Sequence, residues 1–84
     1  MNKFHNVSEI EFLDNSLLAM IDGKKYSFPL SEISKRLESA DELQRRTFEI
    51  SISGYGIHWP LVDEDLSIEG LLKTANASGR ELAR

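Results

Sequence analysis

The hydrophobic period of this chain changes at Pro29, and that change limits its fold more than any other feature. Before Pro29 the apolar residues alternate. In "VSEIEFL", Ile10 and Phe12 face one way and Glu9 and Glu11 the other, the pattern of a half-buried strand. "LLAMI", Leu17 to Ile21, reads as a second and more fully buried strand, and "KYSFP" as a third with Tyr26 and Phe28 on one face. Asp14-Asn15-Ser16 is a turn cluster. Asp22-Gly23 is a strong hairpin signal, because a primed turn needs positive φ and glycine supplies it. Pro29 has no N–H to give a ladder and stops the third strand. Beyond it, Leu30, Ile33 and Leu37 fall at i, i+3 and i+7, the stripe of an amphipathic helix. A chain that switches period in this way is α+β.

The second half repeats the alternation. Ser39 followed by Glu42 has the form of a capping box and predicts a fresh helical turn, with Leu43 inward and Arg45 and Arg46 in water. "TFEISIS" predicts a strand with Phe48, Ile50 and Ile52 buried and Thr47, Glu49 and Ser51 exposed. Gly54-Tyr55-Gly56 supplies a turn, and "IHW" is a short strand with Ile57 and Trp59 inward, ended by Pro60. Helical spacing returns in Ile68, Leu71 and Leu72. The expectation is a five-stranded antiparallel sheet, β-β-β-α-β-β-α, with helices packed on one face. Ile10, Phe12, Leu18, Phe28, Ile33, Leu37, Phe48, Ile50, Ile52, Trp59 and Leu71 are expected to line or border its core. Residues 1–75 form the single domain. "NASGRELAR" (76–84) has no periodic apolar pattern and reads as a disordered tail.

Size and charge narrow the function. A chain of 84 residues makes one domain that buries only about 60% of its unfolded surface. Its 40% hydrophobic and 29% charged content is that of a globular domain, not a disordered one. With no cysteine, disulfides and thiolate zinc sites are excluded. The longest apolar run, Leu17 to Ile21, is too short to span a membrane, and "MNKFHNVSEIEF" lacks a signal-peptide core. A cytoplasmic location is expected. The net charge of −4 argues against binding nucleic acid unaided, since phosphate neutralisation supplies most of that affinity. Lys24-Lys25, Lys35-Arg36 and Arg45-Arg46 read as solvated surface pairs.

No reaction centre stands out. Asp63, Glu64 and Asp65 are consecutive and point in different directions, so they do not converge as hard-cation ligands would. Ahead of an apolar helical run, Asp65 reads as the N-cap. Asp63 and Glu64 are left over from capping and are candidates for recognition. His5 and His58 have no ligand spacing around them. No serine sits in a nucleophile elbow, and Gly54-Tyr55-Gly56 lacks the third glycine of a phosphate loop. No catalytic, cofactor or metal residue is assigned, and an enzyme is not expected. Trp59 packs in the core or edges a docking surface, where tryptophan is enriched.

At "GIHWPLVDEDLSIEGLL" the chain resembles the domain-of-unknown-function two-four-four-two family of small prokaryotic proteins. The residues that carry the likeness are Trp59, Pro60, Asp63, Glu64, Asp65, Ser67, Leu71 and Leu72. Upstream, "DGKKYSFPLSEISKRL" is similar to the family's hairpin and proline-started helix, and the likeness spans roughly Phe4 to Thr74. The resemblance implies a compact α+β domain. It also implies a function for some members, which look like antitoxins that bind a small toxin-like protein. Others are joined to a helix-turn-helix domain, for which this chain has no room. The family brings no catalytic residues.

The functional expectation is therefore a non-enzymatic interaction protein, antitoxin-like, that neutralises a small basic partner. Its expected partner-binding residues are Asp63 and Glu64, with Trp59 or Tyr55 as apolar anchor. The sheet face around Glu49 and Ser51 is the alternative docking surface. Other readings are a DNA-binding or regulatory subunit acting with a partner and, last, a small enzyme.

Overall fold

The computed structural model describes residues 5–52 and 54–78. Its strands are β1 (Val7–Leu13), β2 (Ser16–Ile21), β3 (Lys24–Pro29), β4 (Glu49–Ile50), β5 (Gly56–Trp59) and β6 (Glu64–Ser67). Its helices are α1 (Leu30–Ile33), α2 (Lys35–Glu38), α3 (Glu42–Arg46) and α4 (Ile68–Ser78).

The first three strands form the antiparallel meander expected of them, in the order β1-β2-β3. Asp14 and Asn15 both take positive φ, as do Asp22 and Gly23, so each hairpin closes through the kind of turn whose twist matches its strands. Between Ser8 and Glu11 the register slips by one residue, with Glu9 at φ 53°, a bulge in the edge strand. β2 buries Leu17, Ala19 and Ile21, and the partly exposed Leu18 faces away from the core.

The single five-stranded sheet does not form. The strands make two three-stranded antiparallel sheets, β1-β2-β3 and β4-β5-β6. Two local facts cause the difference. Glu64–Ser67, expected as acids leading into a helix, is a strand that pairs with β5, Ile57 opposite Leu66 and Trp59 opposite Glu64. β4 is only two residues long and pairs with β5 alone, Glu49 with His58 and Ile50 with Ile57.

The caps also fall elsewhere than expected. Ser34, at φ −165° and ψ 108°, interrupts the helical stripe after Ile33. Its hydroxyl accepts from the Leu37 N–H and starts α2, so Leu30 and Leu37 still reach the core. Asp41, not Ser39, caps α3. Its carboxylate accepts from Gln44 N–H at 2.8 Å while Gln44 Oε1 accepts from Asp41 N–H at 2.9 Å. At α4 the capping oxygen belongs to Ser67, which accepts from Gly70 N–H at 2.9 Å. Asp65 lies two residues earlier, inside β6. α4 continues through Ser78, into the tail expected over 76–84, and the remainder (79–84) lies outside the described residues.

One core joins the two sheets. Phe28, Leu17 and Ile21 meet Ile57 and Trp59 from β5 and Ile68, Leu71 and Ala75 from α4. Phe12 packs edge-on against Trp59 at 6.3 Å between ring centroids, and Phe48 tilts against it at 6.1 Å. Arg45 clasps the outside of this core. Its Nε donates to the Leu37 carbonyl at 2.9 Å and its Nη2 to the Glu38 carbonyl at 2.9 Å and Asn15 Oδ1 at 3.1 Å. The guanidinium lies 5.8 Å from the Phe12 ring centroid, within cation–π range. Arg45 is not the solvated side chain expected, whereas Leu43 is exposed.

Candidate functional site

The structure separates the four residues expected to bind a partner. Tyr55 stands at the start of β5 and is 63% exposed. Trp59, at the other end of the same strand, has no exposed surface. Its packing against Phe12 and Phe48, and its indole N–H bond to the Arg45 carbonyl at 2.9 Å, commit it to the core. Glu64 is half-buried; its Oε2 accepts from the Ser34 hydroxyl and its Oε1 from the Asp65 N–H. That carboxylate therefore joins β6 to the start of α2. Asp63 is exposed at positive φ, and its carbonyl accepts from the Arg36 guanidinium. Only Tyr55 and Asp63 keep the exposure a docking role requires.

A different surface takes shape beside Tyr55. β4 leaves Ile50 at its exposed edge, and Ile52, just beyond it, is fully exposed. With Tyr55 and Leu66 these side chains line an open groove of about 450 Å³. Glu49, His58 and Asp65 also border the groove, with His58 Nδ1 2.6 Å from Asp65 Oδ1. The strand expected over "TFEISIS" is only Glu49–Ile50, and of the residues expected to be buried Phe48 packs against the core while Ile50 and Ile52 are exposed. Asp65, expected as a helix cap, instead projects from β6 toward His58 on the neighbouring strand.

The turn beneath this groove is held by the start of the described chain. Ser51 Oγ accepts from Tyr55 N–H at 2.8 Å and Gly56 N–H at 3.1 Å, and the Ile68 N–H at the head of α4 donates to the Tyr55 carbonyl. Gly54, buried and at φ +67°, lies so close to the His5 carbonyl that a Cβ there would come within 1.7 Å of that oxygen. His5 reaches two other elements. Its Nδ1 lies 2.8 Å from Asp22 Oδ2 in the β2–β3 turn, and its Nε2 lies 2.9 Å from Glu69 Oε2 in α4. Asp22 Oδ1 also accepts from Asn6 N–H, and Asp22 N–H donates to the Asn6 carbonyl. The hydrogen bond to Asp22, reinforced by Glu69, raises the His5 pKa above its ordinary 6.5. The Asn6 N–H, followed by His5, lowers that of Asp22 below 3.8. No pattern along the chain announces this cluster, since His5, Asp22 and Glu69 are far apart in sequence.

Among the described residues, no group of three or more His, Asp or Glu side chains is arranged to hold a metal ion. Among them, too, no helix is long and apolar enough to cross a membrane.

No curated protein matches the chain. Among solved structures, it is similar to a protein of unknown function from Rhodospirillum rubrum ATCC 11170, known from a crystal structure at 2.75 Å resolution. The two are 27% identical with a TM-score of 0.68, over 86% of this chain and 89% of that one. Residues 7–77 match the family described as protein of unknown function (DUF2442), and the chain belongs to that family.

Proposed function

We propose that this protein is a non-enzymatic interaction protein that binds and neutralises a small basic protein partner, in the manner of an antitoxin, through the groove beside β4. The observation that carries the reading is the exposure of Ile50, Ile52 and Tyr55 together along one groove. Isolated apolar residues are normal on a surface, whereas a contiguous group with an aromatic side chain marks an interface. Ile52 is fully exposed, so covering it adds binding energy and removes nothing from the fold. The expected charge role moves with the geometry. Glu64 is tied into the fold, while Glu49 and Asp65 rim the groove and Asp63 lies two residues before Asp65. With a net charge of −4, these acids favour a basic partner and speed its approach at low salt.

The test is co-expression with the product of the adjacent reading frame, followed by binding kinetics. Ile52→Asp with Tyr55→Ala should weaken the complex by about tenfold or more, since burying one such side chain contributes roughly 1.5–3 kcal/mol and 1.4 kcal/mol is tenfold. Asp65→Asn should slow association and flatten its salt dependence. Unchanged affinity in the apolar double variant, with its circular dichroism intact, would remove the groove from the binding surface.

A further inference from the structure

We propose that His5 is a proton-operated latch, holding the His5–Asn6 segment across the β4–β5 turn and α4 while its ring carries two protons, and loosening that grip when it carries one. Hydrogen-bond stoichiometry requires it. Both ring nitrogens face carboxylate oxygens at 2.8 and 2.9 Å, and an ionised carboxylate only accepts. A neutral imidazole has a single N–H, so it can serve one of the two. The imidazolium has two and serves both. The arrangement seen here is that of the imidazolium.

Loss of the proton turns one bond into a contact between two lone pairs. Asp22 stays held by the Asn6 N–H in either state, and the ring gives up one of its two carboxylate bonds. Asp22 faces the ring from the β2–β3 turn and Glu69 from α4, and these carboxylates are the charged groups that act on it among the described residues. The β4–β5 turn meets the latch at Gly54, whose backbone lies against the His5 carbonyl. The His5 side chain is only 13% exposed, so the ring cannot turn freely to water when a bond fails. The same turn carries Ile52 and Tyr55. Proton loss thereby loosens the support of the groove; that this regulates docking rests on the proposed function, whereas the latch does not.

The experiment is a pH titration of the full chain by NMR, following the His5 ring and the amides of Gly54, Tyr55, Gly56 and Glu69. In the native protein the four amides should move with the His5 midpoint. The transition should vanish in His5→Gln, which carries no imidazole at that position, and persist in His58→Gln, which removes the imidazole on β5. Amides that stay still while the His5 ring titrates, or that move unchanged in His5→Gln, would overturn the latch. So would loss of the transition in His58→Gln. The titration needs no partner, so a failed latch and a failed docking groove give separate results.

Discussion

The indole Nε1 of Trp59 donates to the main-chain carbonyl of Arg45 at 2.9 Å, joining the centre of one sheet to the last turns of the helical segment. The two residues are complementary. Trp59 fills the core and ties the Arg45 backbone, while the Arg45 side chain reaches back over Phe12, one of the rings packed on Trp59.

Trp59→Phe deletes this bond and leaves a void where the second ring lay. The expected loss is about 2 kcal/mol for Phe, and roughly 3–5 kcal/mol for Ala, a large part of the stability of a small domain. Urea unfolding followed by circular dichroism measures both, and equal midpoints for Phe and the parent would contradict the core role.

Arg45→Lys keeps the charge and loses the fork that binds the Leu37 and Glu38 carbonyls and Asn15 together. It should cost about 2 kcal/mol, in line with hydrogen bonds from charged groups. Arg46→Lys is the control. Arg46 is 75% exposed and meets Glu42, one turn away, so its replacement should change stability by less than about 0.5 kcal/mol.

Two glycines separate strain from crowding. Gly23, at φ +83°, has open space where a methyl group would stand, so Gly23→Ala should cost only the left-handed backbone penalty of about 1–2 kcal/mol. Gly54→Ala carries the same penalty and also drives a methyl into the His5 carbonyl. Its melting temperature should fall further than that of Gly23→Ala, and the His5 ring signals should shift with it.

The His5 cluster sets a pH window with a definite sign. The folded pKa of His5 is raised above 6.5, so its contribution is full below that value and is lost as pH climbs through the folded pKa. The folded pKa of Asp22 is lowered below 3.8, so its contribution is present above that value and lost as pH falls through the folded pKa. The melting temperature of the native protein should therefore exceed that of His5→Gln between these limits and converge on it in the alkaline range. A gap that widened with rising pH would reverse the assignment.

The first meander is legible in the sequence because its turns carry residues that tolerate positive φ and its strands alternate over enough length to define a face. The four-residue strand Glu64–Ser67 is not. A single Leu66 between polar residues gives no period, and three acids ahead of Ile68, Leu71 and Leu72 look like a helix start. Pairing with β5 decides the matter, and pairing is a long-range fact. Ile50 and Ile52 show the converse limit. Alternation proposes which residues share a face but not whether anything lies over it, so an exposed apolar face and a core face read alike. Arg45 looks solvated in the sequence for the same reason, since its partners come from Asn15, Leu37 and Glu38.

Each sheet is built from strands consecutive in the chain, so no pairing has to wait for a distant segment. Chains with such short-range connectivity fold quickly, because little loop entropy is lost before contacts form. Each meander holds its own hairpins, and docking the two with α4 completes the shared core. A break in the helical segment between β3 and β4 would then leave two fragments, each holding a whole sheet, able to restore the core by association.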